Sequence, residues 1–94
     1  MPTIEFFGYT EGERSDLLNC VRWAMKELAY RDDIVFVLGA PNQVAGWAGS
    51  SRPFVRILTR MPERAKEMGA LLRSACDVET VIIGFERRRE ETSG

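Results

Sequence analysis

The chain has 94 residues, 13 basic and 14 acidic side chains, a formal net charge of -1 and 45% hydrophobic residues. This composition is typical of one small soluble domain and too balanced for a disordered chain, and the lack of basic excess disfavours a nucleic-acid role. Because the chain has no histidine, the usual zinc sites and histidine-activated nucleophiles are excluded, and we expect neither a metal nor a cofactor.

No apolar run approaches the length that crosses a bilayer, and the N-terminus lacks a basic segment followed by an apolar one. The sequence therefore predicts no membrane association and no signal peptide. We expect a cytoplasmic location.

The first half predicts a strand, a helix and a second strand. Residues 3–9 are rich in β-formers, and apolar residues then recur at helical spacing over about 13–30. Thr10 and Glu13 fit a capping box at the start of that helix. The apolar run 34–39 indicates a strand that is covered on both faces or reached by a crossover connection.

The second half repeats this plan after a loop rich in Gly, Ala and Ser at 40–51. Residues 52–60 predict a strand, Pro62 suits the first turn of a helix, and 78–86 predict the last strand. The charged residues 87–94 are expected to form a solvated tail.

The two halves also resemble each other in sequence. Pro2 begins PTIEF and Pro53 begins PFVRI, and both stretches place apolar residues after a proline. We therefore expect one domain over 1–86, built by duplication of a strand-helix-strand unit, with the repeats at 2–39 and 52–86.

Two such units predict an α+β fold, in which a four-stranded mixed sheet carries two helices on one face. A ferredoxin-like fold has the same order of elements and is the structural alternative. Ile4, Phe6 and the runs 34–38 and 81–85 suggest that the other face of the sheet is apolar, so we expect it to be buried against partner subunits.

The proline at position 2 has two interpretations. Proline lacks an N–H and is tolerated at the start of a strand, so Pro2 and Pro53 can both be strand-initiating residues. Initiator methionine is commonly removed before proline, however, and removal would give Pro2 a free secondary amine. In a dry pocket near cations, the pKa of that amine would fall towards neutrality, and the amine could act as a general base.

The N-terminal proline, the stretch EGERSD at 11–16 and the doubled plan resemble the tautomerase superfamily, which includes 4-oxalocrotonate tautomerase and macrophage migration inhibitory factor. The stretch AGSSRPFVRILTRMPERAKEMGALL at 48–72 is similar to the second half of the longer members. The resemblance implies a tautomerase-like fold, a homo-oligomer that is a trimer, and a small carboxylate or carbonyl ligand.

The resemblance also implies roles for individual residues. Pro2 matches the catalytic proline, which moves a proton between a carbon next to a carbonyl and another atom. Arg14, Arg31 and Arg52 lie near positions where members bind substrate, and guanidinium groups suit a carboxylate or an enol oxyanion. For each arginine, the alternative is a solvated surface residue.

Some positions depart from the family. Pro62 lies where the inhibitory-factor branch offers a backbone N–H, and Val81 and Ile83 lie where that branch has polar side chains. The sequence therefore leaves two functions open: a keto-enol isomerase that uses Pro2, and a non-catalytic oligomeric binding or structural module.

Cys20 and Cys76, both predicted in helices, are interpreted as buried and inert thiols.

Overall fold

The computed structural model describes residues 2–39, 47 and 52–85. The predicted loop 40–51, apart from residue 47, and the predicted tail 87–94 lie outside these ranges. No helix within them is long and apolar enough to cross a bilayer. The elements in chain order are β1 (Thr3–Phe7), α1 (Glu11–Ala24), a one-turn 3-10 helix (Arg31–Asp33), β2 (Val35–Leu38), β3 (Phe54–Thr59), α2 (Pro62–Cys76) and β4 (Val81–Phe85).

The four strands form one mixed sheet in the order β2-β1-β3-β4. β1 is parallel to β2, β3 is parallel to β4, and the central pair β1–β3 is antiparallel. Each strand-helix-strand unit thus has its two strands side by side, whereas a ferredoxin-like fold splits them. The predicted α+β fold is confirmed, and the ferredoxin-like alternative is wrong.

The hydrophobic core lies between the sheet and the two helices. Burial alternates along both central strands, since a strand turns successive side chains to opposite faces. The expectation that Ile4 and Phe6 contribute to the open face is wrong, because both are fully buried towards the helices. The fully buried core side chains are Ile4, Phe6, Val21, Val55, Ile57, Met68 and Leu72.

The start of α1 is capped as the sequence predicts. Thr10 Oγ1 accepts a hydrogen bond from the Glu13 backbone N–H at 3.2 Å, and Glu13 Oε1 accepts one from the Thr10 N–H at 3.0 Å. The helix ends at Ala24, however, and not near residue 30. Beyond it, the Leu28 N–H bonds to the carbonyl three residues back. This tighter winding still brings Leu28 into the core, where it is 7% exposed.

We expect Gly8→Ala to lower the free energy of unfolding by about 1–2 kcal/mol. Gly8 has a φ of 83°, and an added Cβ would lie 3.0 Å from Pro53 Cα, a backbone atom. Gly12→Ala is the matched control, because Gly12 lies in α1 with no atom within 4 Å of an added Cβ. It should leave stability unchanged or raise it by about 0.5–1 kcal/mol. Urea unfolding measures both; equal effects would contradict this account.

Candidate functional site

Pro2 lies at one end of the sheet, immediately before β1. Its ring is fully buried, and its carbonyl accepts a hydrogen bond from the Val35 N–H at 2.9 Å. Thr3, the first residue of β1, is paired with Val35 on one side and Leu58 on the other. The start of β2 and the end of β3 therefore meet at the Pro2 end of the sheet.

Arg31 belongs to this same end, because the 3-10 helix that contains it leads directly into β2. Its Nη1 donates to the Lys26 carbonyl at 2.7 Å. Arg31 lines a groove of about 420 Å³ together with Arg22, Lys26 and the aromatic rings of Trp23 and Phe36. Lys26 Nζ lies 4.4 Å from the centre of the Trp23 ring, and Trp23 is 66% exposed. The groove combines three cations and one carboxylate, that of Asp32, with aromatic surface.

Arg14 and Arg52 lie at the opposite end of the sheet. Arg14 Nη1 donates to the carbonyl of Gly39, just after β2, at 2.6 Å. Arg52 precedes β3, whose first residue pairs with the last residue of β1. It lines a groove of about 400 Å³ together with Tyr9 and Asp77. Since a five-residue strand is about 13 Å long, neither arginine approaches Pro2 of its own chain.

Three positions, Pro62, Val81 and Ile83, lie where the inhibitory-factor branch has polar groups, and they supply none here. Val81 and Ile83 alternate on the helix side of β4, and both would lie within 4 Å of a Cβ added at Gly69 of α2. Pro62 is the first residue of α2. Among the residues that the structure describes, no three His, Cys, Asp or Glu side chains converge as a metal site does.

The open face of the sheet, opposite the helices, is largely apolar. Val35 and Val37 on β2 are each 39% exposed, and Ile82 on β4 is 44% exposed. Between them, Phe7 and Phe54 stack with ring centres 5.0 Å apart. Exposed apolar patches are surfaces at which proteins can contact other molecules.

A salt bridge between Glu5 and Arg56 crosses the middle of the open face. The Glu5 carboxylate accepts a hydrogen bond from Arg56 Nε, and the Glu5 side chain is only 12% exposed. This hydrogen bond raises the pKa of Arg56. Aligning the two repeats points to this pair, because Glu5 and Arg56 are each the fourth residue of PTIEF and PFVRI.

The sequence matches no family model, and no curated protein is detectably similar to it. Solved structures do resemble the fold. A domain of unknown function (DUF1904) from Sebaldella termitidis is 18% identical with a TM-score of 0.60, over 96% of this chain and 91% of that chain. A macrophage migration inhibitory factor-like protein from Entamoeba histolytica is 15% identical with a TM-score of 0.50, over 89% and 85%.

Malonate semialdehyde decarboxylase is 17% identical with a TM-score of 0.50, over 100% of this chain and 92% of that chain. These neighbours all have tautomerase superfamily folds. The chain therefore has the tautomerase fold, and the resemblance stated from the sequence is confirmed at that level.

We expect Arg56→Leu to lower the free energy of unfolding by about 1–3 kcal/mol, because it leaves the Glu5 carboxylate without its partner. The double variant Glu5→Leu/Arg56→Leu removes both charges and should recover most of that loss. Urea unfolding of the two variants and the parent chain provides the measurement. A double variant as unstable as the single one would show that the unpaired carboxylate is not the cause.

Proposed function

We propose that the chain is a tautomerase-like enzyme in which Pro2, after removal of Met1, acts as a general base on a small carbonyl or enol acid. The observation that carries the proposal is the position of Pro2, buried at the start of central strand β1 beside the strand that Arg31 precedes. A secondary amine here would be poorly solvated, and this disfavours its protonated form and lowers its pKa.

In this mechanism the neutral amine of Pro2 takes a proton from the carbon next to the substrate carbonyl. Negative charge then develops on the carbonyl oxygen, and Pro2 returns the proton to another atom to complete the isomerisation. A guanidinium group stabilises the oxyanion or holds the substrate carboxylate. Arg31 is the candidate from the same chain. Arg14 and Arg52 can serve only a Pro2 that belongs to a neighbouring subunit.

We infer that the chain is a homo-oligomer, a trimer by the family resemblance, that covers the open face. The exposed apolar side chains of β2 and β4 on that face support this inference. A domain of this size buries only a modest core of its own, so a subunit contact adds stability. The proposal includes a cytoplasmic location, one domain over 1–86, and no nucleic-acid, membrane, metal or cofactor partner.

The second candidate function is a non-catalytic oligomeric module that keeps the fold. The division of the arginines between the two ends of the sheet favours it, because Arg14 and Arg52 do not approach Pro2 of their own chain. Val81 and Ile83, which supply no polar group to a ligand, favour it too. Activity of the purified chain distinguishes the two functions.

We expect Pro2→Ala to lower the rate of phenylenolpyruvate ketonisation by at least about 100-fold, the usual contribution of a general base. Pro53→Ala is the matched control, because Pro53 starts the equivalent strand of the second repeat and its nitrogen is an amide. It should keep the parental rate. Steady-state kinetics, with circular dichroism as a check of folding, provides the measurement. A parent chain without turnover would favour the non-catalytic module, and an equal rate for Pro2→Ala would refute the role of Pro2 as the base.

We expect Val37→Asp to shift the sedimentation coefficient from an oligomer to a monomer, since it places a charge on the open face. Ser74→Asp is the control, because Ser74 is an exposed residue of α2 on the other side of the molecule. It should sediment like the parent chain. A parent chain that sediments as a monomer would refute the oligomer. A Val37→Asp variant that stays oligomeric would show that the interface does not lie on the open face.

A further inference from the structure

The two cysteines lie side by side, although one is in each repeat. Cys20 projects from the middle of α1, and Cys76 is the last residue of α2. Cys20 Sγ donates a hydrogen bond to the Ala75 carbonyl at 3.4 Å, which places it beside Cys76, the next residue of α2. Both are free and partly exposed. The interpretation of the cysteines as buried and inert is therefore wrong as to burial, because each lies at the rim of the helix–helix contact and not beneath it.

A surface groove gives small molecules access to this pair. The groove has a volume of about 380 Å³ and is lined by both thiols, by Tyr9 and by the acidic side chains Glu13 and Asp16. Carboxylates repel anionic oxidants such as disulfide-form glutathione, whereas a small neutral peroxide meets no such barrier. The groove lies at the Arg52 end of the sheet, since Tyr9 and Asp77 line both this groove and the one that contains Arg52.

We propose that Cys20 and Cys76 are an oxidant-sensitive modification site, where hydrogen peroxide converts the two adjacent thiols into a reversible disulfide that links α1 to α2. The inference rests on the hydrogen bond that places Cys20 beside the last residues of α2 and on the groove that both cysteines line. It is independent of the proposed function, because neither cysteine is among the residues placed at the Pro2 end.

The reaction needs one peroxide and produces two waters. The Cys20 thiolate attacks one oxygen of the peroxide, the O–O bond breaks, and the departing hydroxide takes a proton to form water. Cys20 is then a sulfenic acid, oxidised by two electrons. The sulfur of Cys76 attacks the Cys20 sulfur; the S–S bond forms, the S–O bond breaks, and the hydroxyl leaves as water with the proton of Cys76.

The order of the two steps follows from the surroundings of Cys76. Burial, with a further contribution from the hydrogen bond to Cys20, raises the pKa of Cys76 to about 12. Because the thiolate is the nucleophile that attacks peroxide, Cys76 is the poorer first reactant and the natural second, resolving sulfur. We therefore assign the sulfenic acid to Cys20.

The experiment treats the purified parent chain with a small excess of hydrogen peroxide and follows it by intact mass and by peptide mapping without reduction. We expect the loss of two hydrogens, a linked peptide that contains Cys20 and Cys76, and full reversal by dithiothreitol. The cross-link closes a long loop, so the melting temperature should rise by roughly 10 °C. With Cys76→Ser, the resolving sulfur is absent, and dimedone should label Cys20.

Several results would overturn the proposal. They are a parent chain that keeps both thiols after treatment, one that gains oxygen atoms without a linked peptide, and one that forms only disulfides between chains. The peptide map of the parent chain decides among these outcomes even if Cys20→Ser or Cys76→Ser does not fold. Persistence of the disulfide at low protein concentration distinguishes a bond within the chain from one between chains.

Discussion

The antiparallel pairing of β1 with β3 is the contact on which the rest of the structure depends. It joins the two strand-helix-strand units at the centre of one sheet, in a register that pairs Thr3 with Leu58 and Phe7 with Phe54. Because side chains alternate across a strand, this register turns Ile4 and Ile57 to the helices and Glu5 and Arg56 to the open face. A shift of either strand by one residue would turn its side chains to the opposite faces, so that either Glu5 or Arg56 would face the core without its partner.

The same pairing determines what one chain can contribute to a site around Pro2. It brings the end of β3 to the start of β1, and the parallel partner β2 adds its own start together with Arg31. Arg14 and Arg52 lie at the opposite end of the sheet from Pro2. A pocket that uses all three arginines therefore requires more than one subunit, and the apolar open face is the surface through which subunits can meet. The proposed chemistry thus depends on oligomerisation wherever it uses Arg14 or Arg52.

Much of the fold could be predicted because its signals are local. The capping box at Thr10, the proline at the start of α2 and the paired motifs PTIEF and PFVRI are short sequence patterns with a direct structural meaning. The end of α1 was harder to place, since apolar spacing continues to Leu28 while the chain already winds more tightly. The spacing of apolar residues indicates which residues are buried. A tighter turn buries Leu28 without extending α1.

The parts of the candidate site that the sequence did not predict are contacts between distant segments. No local pattern brings Cys20 next to Cys76 or separates Arg14 from Pro2, because both follow from how the helices and strands pack. The Glu5–Arg56 pair is an intermediate case. Aligning the two repeats gives the equivalent positions, but only the antiparallel register shows that these positions are opposite each other.

The central claim is that Pro2 works as a free amine, and the intact mass of the untagged chain expressed in cells tests it most directly. The account predicts a mass that lacks the initiator methionine, which leaves the Pro2 nitrogen as a secondary amine able to accept a proton. A mass that retains Met1 would contradict the account. The Pro2 nitrogen would then be an amide, and Pro2 would do no more than begin a strand.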